Sequence, residues 1–351
     1  MAYRWLVAAV PVVGIIVLIA GAGRAADTEL RTQALSLFRP LVIDPSSASD
    51  ALASRRVGLG KLLYFEPRVS ADGTVSCARC HQPALYGTDA LPRSIGAGQR
   101  LHPRHAPTVL NAAIQFVQHW RGDRNSVEDQ AMQALIAPPS YGNLNYESAI
   151  AKIRAIPAYT SLFAQAFPGP ADPITPEHWG QAIGAYVRTL VTPAPFDRFL
   201  AGDDAAVSTS AQKGLRAFMQ IGCAGCHNGP GIGGTMYQKF GLREDYWTAT
   251  ASRTIDKGRF DVTKDPADMY VFKVPMLRNV AVTAPYFHDG GVATLPEAVR
   301  VMARVQLGRK LTDAELEDLV AFLESLTGRL PEDFTTSPIL PASAQAVVPR
   351  P

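Results

Sequence analysis

Charge of one sign is what this sequence most lacks. Against 34 Lys and Arg stand 31 Asp and Glu, a formal net charge of +3 that falls to +2 once Arg4 is set aside with the leader described below. No broad basic field is left to attract a polyanion, so nucleic acid is not an expected partner. A disorder-promoting composition is also absent. With 47% hydrophobic and 19% charged residues, the 351-residue chain is neither disordered nor fibrous and is long enough for two domains of ordinary size. Cysteine is scarce, at four residues.

The chain opens on an apolar run from Trp5 to Ala22, behind Arg4, that ends in Ala20-Gly21-Ala22. A basic residue, an apolar stretch and a small-x-small exit are the parts of a secretory leader, read here over residues 1–22. The run approaches the ~18 to 20 residues that cross a bilayer, so an uncleaved anchor is the alternative; Pro11, Gly14 and the exit favour cleavage. Either way the body of the chain is exported. In an oxidising compartment four cysteines would ordinarily make two disulfides.

Their spacing argues for something else. All four lie in two copies of one pentapeptide, Cys77-Ala78-Arg79-Cys80-His81 and Cys223-Ala224-Gly225-Cys226-His227. Cys-x-x-Cys-His is the attachment signature of c-type haem: both thiols add to the vinyl groups, and the adjacent imidazole becomes the proximal iron ligand. Two cysteines three apart span one porphyrin edge, and the next residue can turn beneath the ring. Neither a redox-active Cys pair nor a zinc site predicts His directly after both pairs. The sequence therefore calls for two covalently bound haem c groups, on His81 and His227.

The motifs lie 146 residues apart, and each follows a similar segment, Gly60-Lys-Leu-Leu-Tyr-Phe65 or Gly214-Leu-Arg-Ala-Phe218. The expected fold is mainly α: two cytochrome c-like helical domains, each with one haem, joined and flanked by long loops. Pro168-Gly-Pro-Ala-Asp-Pro-Ile-Thr-Pro176 and Pro193-Ala-Pro195 mark the zone between them. We place the N-terminal domain at 27–190, the C-terminal domain at 191–330 and a disordered tail at 331–351. Near the end, Thr294 with Glu297 and Thr312 with Glu315 predict capping boxes, the first with Pro296 in its opening turn. The second helix carries Leu316, Leu319, Val320, Leu323 and Leu326 on one face, with Gly328 just past its end.

The sixth iron ligand separates the roles of two haems, since an open position can bind peroxide whereas a His/Met pair suits electron transfer. From the residues alone, Met276 and Met302 compete for the C-terminal iron, and core packing is the ordinary role of a Met on an amphipathic helix.

The mature chain resembles the bacterial di-haem cytochrome c peroxidases and their relative MauG, which matures a quinone cofactor within a partner protein. The segments that carry the resemblance are the two haem motifs, Gly73-Thr-Val-Ser-Cys77, Ala106-Pro-Thr-Val-Leu-Asn111, Val274-Pro-Met-Leu-Arg-Asn279 and Ala284-Pro-Tyr-Phe-His-Asp-Gly-Gly291. It implies that Met302, fourteen residues after His288, is the sixth ligand of the C-terminal haem, where MauG carries Tyr. It implies too that Trp120 lies between the haems and passes electrons, and that Gln130 stands at the distal side of the N-terminal haem.

Three positions depart from the family pattern. Ser94-Ile-Gly-Ala97 has alanine where the peroxidases carry a histidine that caps the N-terminal iron, so this site is expected open; His102 and His105 lie nearby, with surface or packing roles expected. Ser140 stands where the family has a distal Glu, which leaves Glu147, or Tyr141 through water, as replacements. His105 stands where the family has an Asn that helps to hold calcium between the domains, and nitrogen is a poor calcium ligand, so calcium is possible here but not expected.

The resemblance implies a periplasmic peroxidase that reduces hydrogen peroxide with electrons from a small cytochrome c or cupredoxin, and a homodimer. A MauG-like oxidation of side chains on a partner protein is the second reading, and a di-haem electron carrier without catalysis the third.

Overall fold

The computed structural model describes residues 28–41 and 50–343. The expected leader over 1–22 lies outside them, as does the last part of the expected tail. The architecture is helical. The strands Tyr237–Lys239 and Val271–Lys273 form an antiparallel pair, with Tyr237 opposite Lys273. No helix among the described residues is long and apolar enough to cross a membrane.

Each half is built on one pair of crossed helices, and a glycine lets each pair close. In the N-terminal half, Ala51–Tyr64 crosses Pro176–Arg188; in the C-terminal half, Thr209–Ile221 crosses Asp313–Glu324. A Cβ on Gly60 would overlap the carbonyl of Ala182, and one on Gly214 would overlap the carbonyl of Asp318. Four residues on, the repeat places an aromatic on the partner helix: Tyr64 meets Tyr186 edge-on at 5.4 Å, and Phe218 meets Phe322 at 5.1 Å. The repeat read from sequence is therefore the repeat of a helix crossing.

The starts of these helices follow local chemistry. Thr175 accepts a hydrogen bond from the backbone of His178 ahead of Pro176, and Ser208 accepts one from Ala211. Thr312 and Glu315 form the complete capping box expected of them. At Thr294 only half the device is present: its side chain accepts from the Glu297 backbone. Gly328 does not cap the last long helix, which ends on Ser325. Its amide instead donates to Asn279 Oδ1 at 2.9 Å, and a Cβ there would overlap the Thr192 carbonyl.

The ends of the chain trade places. Residues 28–37 form a helix that belongs to the C-terminal core, where Leu30, Ala34 and Phe38 are fully buried and Phe38 packs edge-on against Phe196 at 5.6 Å. Residues 331–343, expected to be disordered, instead begin with a short helix, Glu332–Thr335, whose Phe334 is buried against Tyr64 in the N-terminal half. Composition alone hid this, because one phenylalanine in a Pro- and Thr-rich stretch suffices to dock it.

Between the halves sits a buried polar clasp. Asn111 and Asn279 both adopt left-handed backbone, at φ 57° and 62°, and both donate to the hydroxyl of Thr192, at 2.8 and 2.9 Å. These asparagines end the two Pro-containing segments quoted above, so that pair of segments is also a structural repeat.

Candidate haem centres

The first motif is a single helical turn, Cys77–Cys80, with His81 as its C-cap. His81 Nδ1 donates to the carbonyl of Gly87 at 3.0 Å, which orients the ring and leaves Nε2 to face a metal. Gly87 has φ 72°, and a Cβ there would press on Val109, so the turn that carries this carbonyl needs glycine. Tyr64, on the crossed helix, donates to the His81 carbonyl at 2.7 Å. The hydroxyl of Tyr141 lies 3.3 Å from the Cys77 sulfur. Burial raises the Cys77 and Cys80 thiols to about 11.

The second motif repeats the device. Cys223–Gly225 is one short 3-10 turn after Gly222, and His227 Nδ1 donates to the Ile232 carbonyl at 3.3 Å. Burial holds the His227 ring down at about 4, the neutral form that a metal ligand needs. His227, Cys223 and Cys226 line a cavity of about 270 Å³ whose walls include Phe218, Leu295, Met276 and Met302. Both methionines that competed in the sequence reach this space, from opposite supports. Met276 packs at Gly231, in the loop that carries the Ile232 carbonyl, whereas Met302 comes from the separate helix Leu295–Leu307.

None of the four cysteines is paired in a disulfide. Paired thiols one turn apart, a histidine with one nitrogen committed to a carbonyl and an apolar cavity beside it fit a covalently attached haem c.

Beside the first motif, residues 94–102 form a tight hairpin. Ile95 pairs with Leu101, Gly96 N donates to the Arg100 carbonyl at 2.9 Å, and His102 N donates to the Ser94 carbonyl at 2.8 Å. Its tip docks on the 139–140 loop: Ala97 N donates to the Ser140 carbonyl at 2.9 Å, and a Cβ on Gly96 would overlap the Pro139 carbonyl. Ala97 is buried, near Gly142. The Ser140 hydroxyl and His102 Nε2 lie 3.3 Å apart, in hydrogen-bond contact. Burial, then the neighbouring His81 and His119, hold the His102 ring near 4. Gln130 is half-buried on the helix Val127–Ala134, which leads into the same loop. Glu147 is exposed in the first turn of Tyr146–Arg154, away from this cluster.

Trp120 adjoins the second centre. It lines the cavity of His227, while the preceding residue, His119, interacts electrostatically with His81. Its indole N–H donates to the His105 carbonyl at 2.9 Å, its ring meets His288 edge-on at 6.3 Å, and its carbonyl accepts from Lys273 N at 2.8 Å.

Similarity to known proteins agrees with this geometry. Residues 54–205 match the di-haem cytochrome c peroxidase family, and residues 211–327 match cytochrome c. The chain is 41% identical over 330 residues to the cytochrome c551 peroxidase of Pseudomonas aeruginosa, covering 92% of each protein. The chain belongs to the di-haem cytochrome c peroxidase family. It is also 36% identical over 296 residues to the methylamine utilization protein MauG of Methylorubrum extorquens, covering 80% of this chain and 81% of that protein. Among solved structures, a MauG-like protein associated with microbial copper homeostasis superposes with a TM-score of 0.71 at 28% identity, covering 86% of this chain and 96% of the other.

Within that family frame, one residue went unread in the sequence. Lys273 is buried, lines the His227 cavity and donates to Gln115 Oε1. Burial lowers its ammonium to about 7. A lysine within the apolar run Val271-Phe-Lys-Val274 was the available signal. His105, expected to have a packing role, is buried with its Nδ1 donating to the Leu91 carbonyl at 2.8 Å. The contact of His102 with Ser140 joins positions 38 apart, and nothing local announces it.

Proposed function

We propose that the chain is a periplasmic peroxidase. Electrons from a small cytochrome c or cupredoxin enter at the C-terminal haem, held by His227 and Met302, pass Trp120, and reduce hydrogen peroxide at the N-terminal haem on His81. The observation that supports this division of labour is a contrast between the surroundings of the two motifs. Met302 shares the apolar cavity of His227, whereas residue 97, beside the other motif, is a buried alanine that cannot ligate iron.

A bound c-type haem supplies iron that exchanges single electrons and, where its sixth position is free, takes up peroxide. The residues of the chain decide which haem does which. The Gly87 and Ile232 carbonyls fix the two proximal rings and make their ligating nitrogens more basic. Leu295, Phe218 and Ala298 give the C-terminal cavity an apolar lining, which favours a thioether ligand and a high potential. Met276 packs at the His227 loop, so the helix Leu295–Leu307 offers the sulfur from the other support. Trp120 is held at its N–H, its ring edge and its carbonyl, an aromatic bridge between the centres. Gln130 is assigned to orient bound peroxide from the helix Val127–Ala134.

A MauG-like oxidation of a partner protein is the second reading, favoured by Ala97. Without an imidazole at that position the N-terminal site needs no reductive activation. The deciding experiment is an absorption and EPR titration of the oxidised and half-reduced holoprotein, followed by peroxide with reduced cytochrome c present. A high-spin N-terminal haem beside a low-spin His/Met haem, with rapid oxidation of the cytochrome, is the expected result. A long-lived peroxide-induced spectral change without cytochrome oxidation would favour the maturase. Two low-spin haems indifferent to peroxide would leave an electron carrier.

A further inference from the structure

We propose that His102 is the distal proton carrier of the N-terminal haem site. The proposal deepens the peroxidase reading and rests on it for its substrate.

Three features of the fold support the assignment. The first is position. The 94–102 hairpin is pinned at its tip to the 139–140 loop by the Ala97–Ser140 bond and the close approach of Gly96 to Pro139, and its other end brings His102 Nε2 to the Ser140 hydroxyl. The loop whose Tyr141 reaches the Cys77 sulfur therefore presents an imidazole beside residue 140, a serine that cannot titrate near neutral pH.

The second is what surrounds the ring. The charged and titratable groups that act on it are His81, the proximal ligand itself, His119 from the Trp120 segment, and Asp89; Pro139 and Ser140 bring none. His102 is thus in electrostatic reach of both the haem-binding histidine and the electron-carrying segment. Burial and the two histidines keep the ring neutral down to about 4, so it is a base throughout the neutral range.

The third is the alternatives. Glu147 is exposed. Tyr141 is committed to the Cys77 sulfur, and its phenol is raised well above the ordinary tyrosine range by burial. Neither is an effective proton acceptor at this place. Ser140 suits a positioning role, since a hydroxyl can donate to or accept from the imidazole as the ring gains or loses its proton.

The chemistry balances without a further reagent. Hydrogen peroxide, two protons and two electrons give two waters. His102 takes the proton from one peroxide oxygen and returns it to the other as the O–O bond breaks. Solvent supplies the two protons consumed, the donor protein supplies both electrons through the haems, and the imidazole ends as it began.

Cyanide tests this apart from turnover, because HCN must give its proton to a distal base as the anion binds iron. The experiment measures cyanide association at the N-terminal haem of the full-length holoprotein from pH 5 to 9, in wild type, H102A, H102Q and S140A. Glutamine keeps a hydrogen bond to Ser140 and most of the volume, so it controls for folding. Both His102 variants are expected to retain both haems and the C-terminal absorption bands, to bind cyanide about tenfold more slowly at pH 7, and to react with peroxide at least about a hundredfold more slowly. S140A is expected to fall between them and wild type. S140E in the H102A background is expected to restore part of the rate. Cyanide association in H102Q within twofold of wild type, with the same pH profile, would overturn the proposal. Failure of the peroxidase reading looks different: wild type binds cyanide fast and His102-dependently, yet oxidises no cytochrome c with peroxide.

Discussion

The N-terminal and C-terminal halves hold their haem-binding histidines alike and diverge on the opposite side. In each, a glycine lets two helices cross, an aromatic four residues on meets the partner helix, and the histidine's Nδ1 is tied to a backbone carbonyl five or six residues along. Each then sends an asparagine in left-handed conformation to the same threonine. Around its motif the C-terminal half offers a helix with a methionine in an apolar cavity. The N-terminal half offers a short hairpin with an alanine, a serine and a histidine. The duplicated part repeats one setting for a Cys-x-x-Cys-His motif; the diverged part is where the proposed division of labour rests.

The largest expected effect comes from making the halves alike at Arg278. Its counterpart in the other segment is Leu110, which is fully buried among apolar side chains. Arg278 is instead paired at 2.8 Å through both terminal nitrogens with buried Asp197. Arg278→Leu leaves that carboxylate buried and unpaired, and chemical denaturation of the holoprotein should read a loss of about 3–5 kcal/mol. Asp197→Ala in the same background should recover part of it.

The helix crossings come next. Gly60→Val and Gly214→Val each drive a side chain into the opposing carbonyl and should cost about 1–3 kcal/mol or more. Comparable losses would establish the two crossings as energetic equals, whereas a loss at one alone would break the symmetry. Thr192→Val removes the hydroxyl both asparagines share, with an expected loss of about 1–3 kcal/mol.

Potentiometry sharpens the functional half of the contrast. Met302→Ala should lower the C-terminal haem potential by on the order of 100 mV within the ~0.8 V range that axial ligands command, and convert its spectrum to high-spin, while Met276→Leu leaves both unchanged. The reverse pattern would move the ligand to Met276.

The smallest effect is in pH. His102 titrates near 4 in the folded chain, below the ordinary 6.5. The unfolded chain therefore binds the extra proton first, and the contribution to stability is complete above about 6.5 and lost as pH falls toward 4. The slope of stability between those values should be shallower in H102Q than in wild type.

Much of this was legible in the sequence because it is local. A Cys-x-x-Cys-His motif is one turn of chain, and the glycine and aromatic before each motif lie on one helix. The capping of Thr312 by Glu315 spans three residues. The illegible part joins distant positions. The helix at 28–37 fills the C-terminal core, and Phe334 fills the N-terminal one, so each end of the chain completes the half farther from it in sequence. Lys273 reads as an ordinary strand residue until the fold buries it at a cavity wall.

By itself the sequence carried the two Cys-x-x-Cys-His motifs and with them the expectation of two haems on His81 and His227, the repeat that precedes each motif, and the competition of two methionines for one iron, since covalent spacing and helical periodicity are carried along a few consecutive residues. Only the tertiary structure decided that both methionines reach one cavity from different supports, that Trp120 lines that cavity with its indole N–H tied to the His105 carbonyl, and that His102 meets Ser140. Those are juxtapositions of segments far apart in the chain, set by helix crossing and loop docking, and no local pattern encodes them.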